Sequence, residues 1–98
     1  MIFTVVQAHV PHNKQEKLKA VFKEQLGKIP PDIRQALLVQ STSDPTLWQT
    51  IGFWPSRKAL DDYLGSVKVP GGKQIFLALG IDPSLTVFEI VDQHHELA

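Results

Sequence analysis

The apolar positions along the chain follow two spacings, and each spacing predicts one kind of element. Alternation with a period of two residues, rich in β-branched side chains, is typical of strands. It covers residues 2–10, 36–40, 47–54 and 85–92. Turn residues fill the stretch between the second and third of these segments, so we expect those two strands to form a hairpin.

A period near 3.6 residues predicts helices between the strands. Asn13 is a good N-cap for the first helix, whose apolar stripe ends before Pro30. Ser56 caps a second helix, in which Tyr63 shares the apolar face. A shorter helical stretch is expected over residues 74–79, after a Pro-Gly-Gly turn.

The resulting order is β-α-β-β-α-β, which predicts an α+β, ferredoxin-like sandwich. In that fold both helices cover one face of a four-stranded antiparallel sheet. The other face is a problem for solubility, because both sides of the first strand are largely apolar. A soluble monomer does not leave an apolar face of roughly several hundred Å² in water. We therefore expect a homodimer in which two sheets pack face to face.

Composition excludes several classes of function. The chain has 98 residues, ten Lys or Arg against ten Asp or Glu, and no cysteine. We therefore expect a single domain, residues 1–98, without disulfides or thiolate chemistry. Zero net charge argues against a nucleic-acid partner, because such a partner requires a basic face. No window is suited to a membrane span or a signal peptide, so we expect no membrane partner and a cytoplasmic location.

The segment 50–64 resembles a known family. A Trp closes the third strand, a Ser caps the next helix and an Ala-Leu pair begins it; these residues are Trp54, Ser56, Ala59 and Leu60. With the element order and the length, this pattern resembles the antibiotic biosynthesis monooxygenase (ABM) superfamily of dimeric α/β barrels. The resemblance implies a ligand pocket between sheet and helices. It does not name the ligand, because the superfamily includes cofactor-independent monooxygenases of phenols or quinols, haem-degrading enzymes and members without an established activity.

The haem-degrading branch of that superfamily relies on an Asn in the first strand, a Trp in the second helix and a His further on. The matching places here fall near Val6 or Gln7, on Tyr63 and near Lys73, and none of them carries the required residue. Without that His, haem has no proximal donor, so we expect no cofactor. If the protein is an enzyme, the resemblance implies cofactor-independent oxygenation of a phenolic or quinol-type aromatic. The alternative is a non-catalytic dimer that binds a ligand or another protein.

Oxygenation without a cofactor requires an apolar cavity and a group that orients or deprotonates the substrate. His9 and Tyr63 are the candidate catalytic residues, as a base that titrates near neutral pH and as a hydrogen-bonding hydroxyl. The candidate residues for binding a small apolar or aromatic molecule are Gln7, Trp48 and Trp54, with Gly52 leaving space between the two indoles.

Each of these side chains also has a purely structural interpretation, in which it packs in the core or in the dimer interface. Whether these side chains line a pocket or only pack depends on the strand register. A shift of one residue exchanges the two faces of a strand, and both faces here are apolar. The sequence therefore leaves open which face of the sheet lines the pocket.

The four histidines do not predict a metal site. His9 and His12 lie near the end of the first strand, whereas His94 and His95 follow the fourth. If these two strands are antiparallel neighbours, the two pairs lie at opposite ends of the sheet. We therefore expect no bound metal.

Overall fold

The sheet and its helices follow the predicted order along the chain. The computed structural model describes residues 1–94. Its elements are β1 (Ile2–His9), a 3₁₀ turn (His12–Lys14), α1 (Gln15–Leu26), β2 (Gln35–Gln40), β3 (Leu47–Trp54), α2 (Arg57–Ser66), α3 (Gly71–Leu77) and β4 (Ser84–Glu89). All strand pairs are antiparallel, and the strand order in the sheet is β2-β3-β1-β4. The structure confirms the ferredoxin-like α+β fold and the β2–β3 hairpin.

The pairing register decides which side chains face the helices. Val6 of β1 pairs with Thr50 of β3 on one side and with Leu85 of β4 on the other. These positions belong to the inner face, which the helices cover. The buried residues of this face in β1 and β3 are Ile2, Val6, Ala8, Trp48, Thr50, Gly52 and Trp54. Because side chains alternate along a strand, Gln7 and His9 belong to the opposite, outer face, and both are exposed.

Two hydrophobic clusters hold the helices on the inner face. The larger one contains Leu18 of α1 and Phe76 of α3, both fully buried, together with Trp48. The smaller one joins Trp54 of β3 to Leu60 of α2 and to partly buried neighbours. Each large apolar side chain buried in this way contributes about 1.5–3 kcal/mol. The two clusters therefore fix all three described helices against the sheet.

The predicted N-cap of the first helix is wrong. Asn13 lies inside the 3₁₀ turn, and α1 begins two residues later without a side-chain cap. The turn forms because the N–H of Lys14 donates to the carbonyl of Pro11 at 2.9 Å. The side-chain amide of Gln15 then donates to the carbonyl of Val10 at 3.3 Å, which secures the entry into the helix.

The second helix begins as predicted, since the Ser56 Oγ accepts a hydrogen bond of 3.1 Å from the N–H of Ala59. The third begins earlier than predicted. Its N–H groups at Lys73 and Gln74 both donate to the carbonyl of Pro70 at 3.0 Å, so the Gly-Gly pair forms the first helical turn instead of a loop.

Candidate functional site

A cavity of about 250 Å³ lies between the inner face of the sheet and the helices. Thr4 and Thr50 line it from the sheet, Tyr63 from α2 and Leu26 from α1. Most of its other lining residues are apolar. An apolar cavity of about 150 Å³ is large enough for benzene. This cavity therefore has room for a substituted aromatic of one or two rings.

The cavity opens to solvent beside the end of α1. Leu26 and Ile29 line it and yet remain 41% and 39% exposed, which is unusual for such large apolar side chains in a covered position. Lys28 lies between them in the chain and is the one charged residue among the described residues of the lining. The opening therefore favours a neutral or anionic ligand over a cationic one.

Tyr63 occupies the wall of the cavity on α2. Its hydroxyl oxygen accepts a hydrogen bond of 2.8 Å from the backbone N–H of Gly71, which leaves the O–H hydrogen available for donation. Its ring lies 5.1 Å from the ring of Trp54, with the planes tilted by 32°. The structure therefore brings two of the predicted site residues, Tyr63 and Trp54, to one cavity.

Trp54 contributes a donor that has no partner within residues 1–94. The residue is only 3% exposed, and its indole Nε1–H finds no hydrogen-bond acceptor there. Leaving a buried donor unsatisfied costs about 1–3 kcal/mol. Trp54 also lines the cavity, so a shift of the indole on ligand binding would let its N–H reach an acceptor atom and recover that energy.

Two glutamines connect α1 to α3 beside the opening. The Nε2 of Gln25 donates to the Oε1 of Gln74 at 3.2 Å, and the Nε2 of Gln74 donates to the carbonyl of Val69 at 2.7 Å. Both glutamines line the cavity. The sequence does not predict them as site residues, because a glutamine on a helix is ordinarily a solvated position. Thr4 was not predicted either, although it lies on the same face of β1 as the buried Ile2 and Val6.

Gln7 and His9 lie on the outer face, so the sheet separates them from the cavity. Gln7 accepts a hydrogen bond of 2.8 Å from the side chain of Gln49 on the neighbouring strand. The Nδ1 of His9 lies 2.9 Å from the Oγ1 of Thr46, at the exposed end of the central strand β1. Within one protomer the structure does not bring His9 together with Tyr63.

Trp48 is on the inner face but lies in the larger hydrophobic cluster, among Leu18, Ile75 and Phe76. It is not one of the residues that line the cavity. Its indole Nε1–H, like that of Trp54, has no acceptor in the described part of the chain. The two tryptophans are therefore chemically alike and differ in their access to the cavity.

Two groups with shifted pKa values lie outside the cavity. Hydrogen bonds from the hydroxyl and the N–H of Thr46 lower the pKa of Asp44, with a smaller contribution from the charge of His9. The hydrogen bond to Asp62, followed by its charge, raises the pKa of Lys58. Both are surface interactions of the kind that stabilise local structure, so they do not identify a catalytic acid or base.

No group of three or more His, Cys, Asp or Glu that could hold a metal ion occurs among residues 1–94. His94 is exposed, and the adjacent His95 lies outside the described residues. None of the helices in the described part of the chain is long and apolar enough to cross a membrane.

Comparison with known proteins identifies the fold. No protein-family model matches the sequence, and no curated protein matches it significantly. Solved structures do match over nearly the whole chain. A protein from Deinococcus radiodurans, proposed to be an antibiotic biosynthesis monooxygenase, is 16% identical over 100% of both chains, with a TM-score of 0.73. A variant of SnoaB, a cofactor-independent oxygenase from Streptomyces nogalater, is 17% identical over 97% of both chains, with a TM-score of 0.71.

A conserved protein from Methanosarcina mazei is 15% identical over 89% of both chains, with a TM-score of 0.69. Identities of this size establish a shared architecture and leave the chemistry to be argued from the residues. The chain has the fold of the antibiotic biosynthesis monooxygenase superfamily.

Proposed function

We propose that this protein binds a small oxygen-bearing aromatic molecule in the cavity and oxidises it as a cofactor-independent monooxygenase of phenols or hydroquinones. One observation carries the proposal: an apolar cavity is lined by Trp54, whose buried indole N–H has no acceptor in residues 1–94. The hydroxyl of Tyr63 supplies a second donor in the same cavity. Likeness in fold to a cofactor-independent oxygenase supports the choice of reaction.

The two donors would act by stabilising the anionic form of the substrate. Hydrogen bonds to a phenolate lower the pKa of the bound phenol, because they favour its charged form. The phenolate carbon then gives two electrons to dioxygen and forms a C–O bond, and loss of water from the resulting hydroperoxide leaves a quinone. The net reaction consumes one phenol and one dioxygen and yields one quinone and one water. The apolar walls would limit side reactions of the intermediate with solvent.

A non-catalytic ligand-binding protein is the second candidate, and a different observation favours it. The described residues that line the cavity include no carboxylate and no imidazole. Because His9 lies on the outer face, it does not take the proton of a substrate bound in the cavity of the same protomer. The substrate proton would therefore have to leave to water at the opening near Lys28. A protein that only binds its ligand has no such requirement.

We also infer that the working form is a homodimer built on the outer face of the sheet. Phe3 stacks on Phe88 with ring centroids 5.1 Å apart and contacts Phe53 at 5.5 Å, which makes an aromatic row across three strands. Phe88 is 44% exposed in the protomer. The other apolar residues of this face are Val5, Leu37, Val39, Leu47 and Ile51. A second copy fits this surface, since a twofold axis sets apolar against apolar and the net charge of zero adds no repulsion.

Oxygen uptake tests the proposed reaction. Purified protein is mixed with 1,4-dihydroxynaphthalene, and oxygen consumption and quinone absorbance are recorded against autoxidation without protein. We expect uptake faster than autoxidation, a reduced rate for Trp54→Phe, and a nearly unchanged rate for Trp48→Phe, which removes the matched indole outside the cavity. Binding without accelerated uptake would favour the non-catalytic candidate. Absence of binding, or equal losses in both tryptophan variants, would contradict the assignment of this cavity.

A further inference from the structure

Gln25 presents an amide oxygen without a partner at the cavity. The residue lies on α1, is half-buried and lines the cavity. Its Nε2 donates to the Oε1 of Gln74 at 3.2 Å, and the Nε2 of Gln74 donates to the carbonyl of Val69 at 2.7 Å. Because a backbone carbonyl can only accept, these two bonds fix which atom of each amide is the oxygen. The Oε1 of Gln25 therefore ends this chain of bonds, and no donor within residues 1–94 reaches it.

This oxygen is also accessible. In residues 1–94, the buried side-chain nitrogen and oxygen atoms that lack a hydrogen-bond partner are the two indole nitrogens, and the Oε1 of Gln25 is not among them. A half-buried residue that keeps an unpartnered atom in contact with open space does so here at the cavity that it lines. Unlike the indole nitrogen of Trp54, the oxygen of Gln25 can be reached without movement of the protein.

The hydroxyl of Tyr63 lies beside this oxygen. A Cβ atom on Gly71 would lie 3.3 Å from the Tyr63 hydroxyl oxygen and 3.6 Å from the Oε1 of Gln25, so both oxygens border one corner of the cavity. The Tyr63 oxygen accepts from the Gly71 N–H and keeps its own hydrogen for donation. No hydrogen bond joins Tyr63 to Gln25. The corner therefore offers a ligand one acceptor and one donor.

We propose that Gln25 is a specificity-determining residue that binds a ring hydroxyl of the ligand, so that the cavity holds a phenol or hydroquinone more tightly than the matching quinone. This inference rests on the proposed function, because it separates the substrate of that reaction from its product. A phenolic hydroxyl donates to the Oε1 of Gln25 and accepts from the hydroxyl of Tyr63 at the same time. A quinone oxygen has no hydrogen and leaves the Gln25 acceptor without a partner, which favours release of the oxidised product.

A matched pair of ligands tests this preference. 1,4-Dihydroxynaphthalene and 1,4-naphthoquinone share one carbon skeleton and the positions of both oxygens, and they differ only in the hydroxyl hydrogens. Binding of each is measured under nitrogen, which prevents oxidation of the hydroquinone, and a chain without cysteine forms no thiol adduct with the quinone. We expect the wild-type protein to bind the hydroquinone about fivefold more tightly, which corresponds to one neutral hydrogen bond.

Two substitutions at residue 25 should have different effects on this preference. Gln25→Leu removes the acceptor and should abolish the preference. Gln25→Glu keeps an oxygen acceptor and should retain or increase it, because a carboxylate accepts a hydrogen bond more strongly than an amide does. Gln35→Leu makes the same change at an exposed position of β2 outside the cavity and should leave the preference unchanged.

NMR gives a readout on the wild-type protein. The side-chain amide protons of Gln25, assigned by their absence from the spectrum of Gln25→Glu, should shift when the hydroquinone is added and much less when the quinone is added. Equal affinity of the wild-type protein for both compounds, or a preference that survives in Gln25→Leu, would overturn the role of Gln25 and leave the proposed function standing. Failure of the wild-type protein to bind either compound would overturn both.

Discussion

The hydroxyl oxygen of Tyr63 accepts a 2.8 Å hydrogen bond from the backbone N–H of Gly71. Gly71 is the first residue of α3, which follows Pro70 without a side-chain cap. The first N–H groups of a helix have no partner inside it, so Tyr63 satisfies one of them from the neighbouring helix. The same bond fixes the phenol ring at the cavity wall. One hydroxyl thus holds the start of α3 and belongs to a residue of the cavity wall.

Tyr63→Phe should therefore affect stability and binding together. Loss of the bond leaves the Gly71 N–H without its partner, and we expect the free energy of unfolding to fall by about 1–2 kcal/mol. Affinity for an oxygen-bearing aromatic should fall as well. Urea denaturation and a binding titration on the same preparation measure the two effects. Lys23→Ala, at an exposed position of α1, is the control, and we expect it to change stability by less than about 0.5 kcal/mol. Unchanged stability and affinity in Tyr63→Phe would contradict both roles.

Two helical glycines should respond in opposite ways to alanine. A Cβ at Gly72 would lie 3.0 Å from both the Oγ1 of Thr50 and the Cγ2 of Val6, because α3 begins directly above the sheet. We expect Gly72→Ala to lower the free energy of unfolding by about 1–3 kcal/mol through overpacking. Gly65→Ala meets open space and should raise it by about 0.5–1 kcal/mol, since alanine is the better helix former.

Chemical denaturation of both variants beside the wild-type protein checks this pair. The comparison separates packing from helix propensity, because both substitutions gain the same propensity. If Gly72→Ala were as stable as Gly65→Ala, the close approach of α3 to the sheet would be disproved.

The order of the elements could be predicted because the spacing of apolar residues changes between strand and helix at clear turn residues. Ser56 is an example. It stands where the two-residue spacing of β3 gives way to the helical spacing of α2, which predicts an N-cap, and the cap is present. Asn13 is a counter-example. Its own pattern is equally good, but Asn13 lies in a 3₁₀ turn and the helix begins at Gln15, whose side chain donates to the carbonyl of Val10.

The candidate site could be predicted only in part, because the sequence does not show which face of β1 points toward the helices. Thr4 and Val6 face the helices while Phe3 and Val5 face outward, and neither set is polar enough to reveal its side. The polar residues Gln7 and His9 were attractive as site residues, yet they occupy the outer face because they alternate with the buried Val6 and Ala8. The structure places Trp54 in the cavity lining, as its position at a strand end that the helices must cover predicts.

Phe3→Lys should dissociate the inferred homodimer. Phe3 lies between Phe53 and Phe88 on the outer face, and a lysine there would place two like charges near the twofold axis of a face-to-face pair. Light scattering coupled to gel filtration should show a dimer for the wild-type protein and a monomer for the variant at micromolar concentration. Leu77→Lys introduces the same charge at an exposed apolar position on α3 and should leave the dimer intact. A wild-type monomer would rule out the inference.

The Asp44 carboxylate should titrate below its ordinary range. It accepts hydrogen bonds from the Thr46 hydroxyl at 2.7 Å and from the Thr46 N–H at 3.0 Å, and both lower its pKa. A carboxyl whose pKa is lower in the folded state adds stability above its unfolded pKa of about 3.9 and loses it as pH falls through the folded value. Thr46→Val removes the bond that lowers the pKa of Asp44 most, so this pKa should rise toward its ordinary value. It should not reach that value, because the hydrogen bond from the Thr46 N–H remains.

Carbon-detected NMR of the Asp44 carboxyl between about pH 2 and 6 covers the range in which such a group titrates. The wild-type and Thr46→Val proteins should differ most in stability at the upper end of this range and converge at the lower end, where the carboxyl is protonated in both. Thr42→Val changes a neighbouring exposed threonine in the same loop and should leave the Asp44 midpoint in place. A midpoint that Thr46→Val does not move would mean that the loop hydrogen bonds are not maintained in solution. The His9 side chain, 2.9 Å from the Thr46 hydroxyl, would then also lack this hydrogen bond at the end of β1.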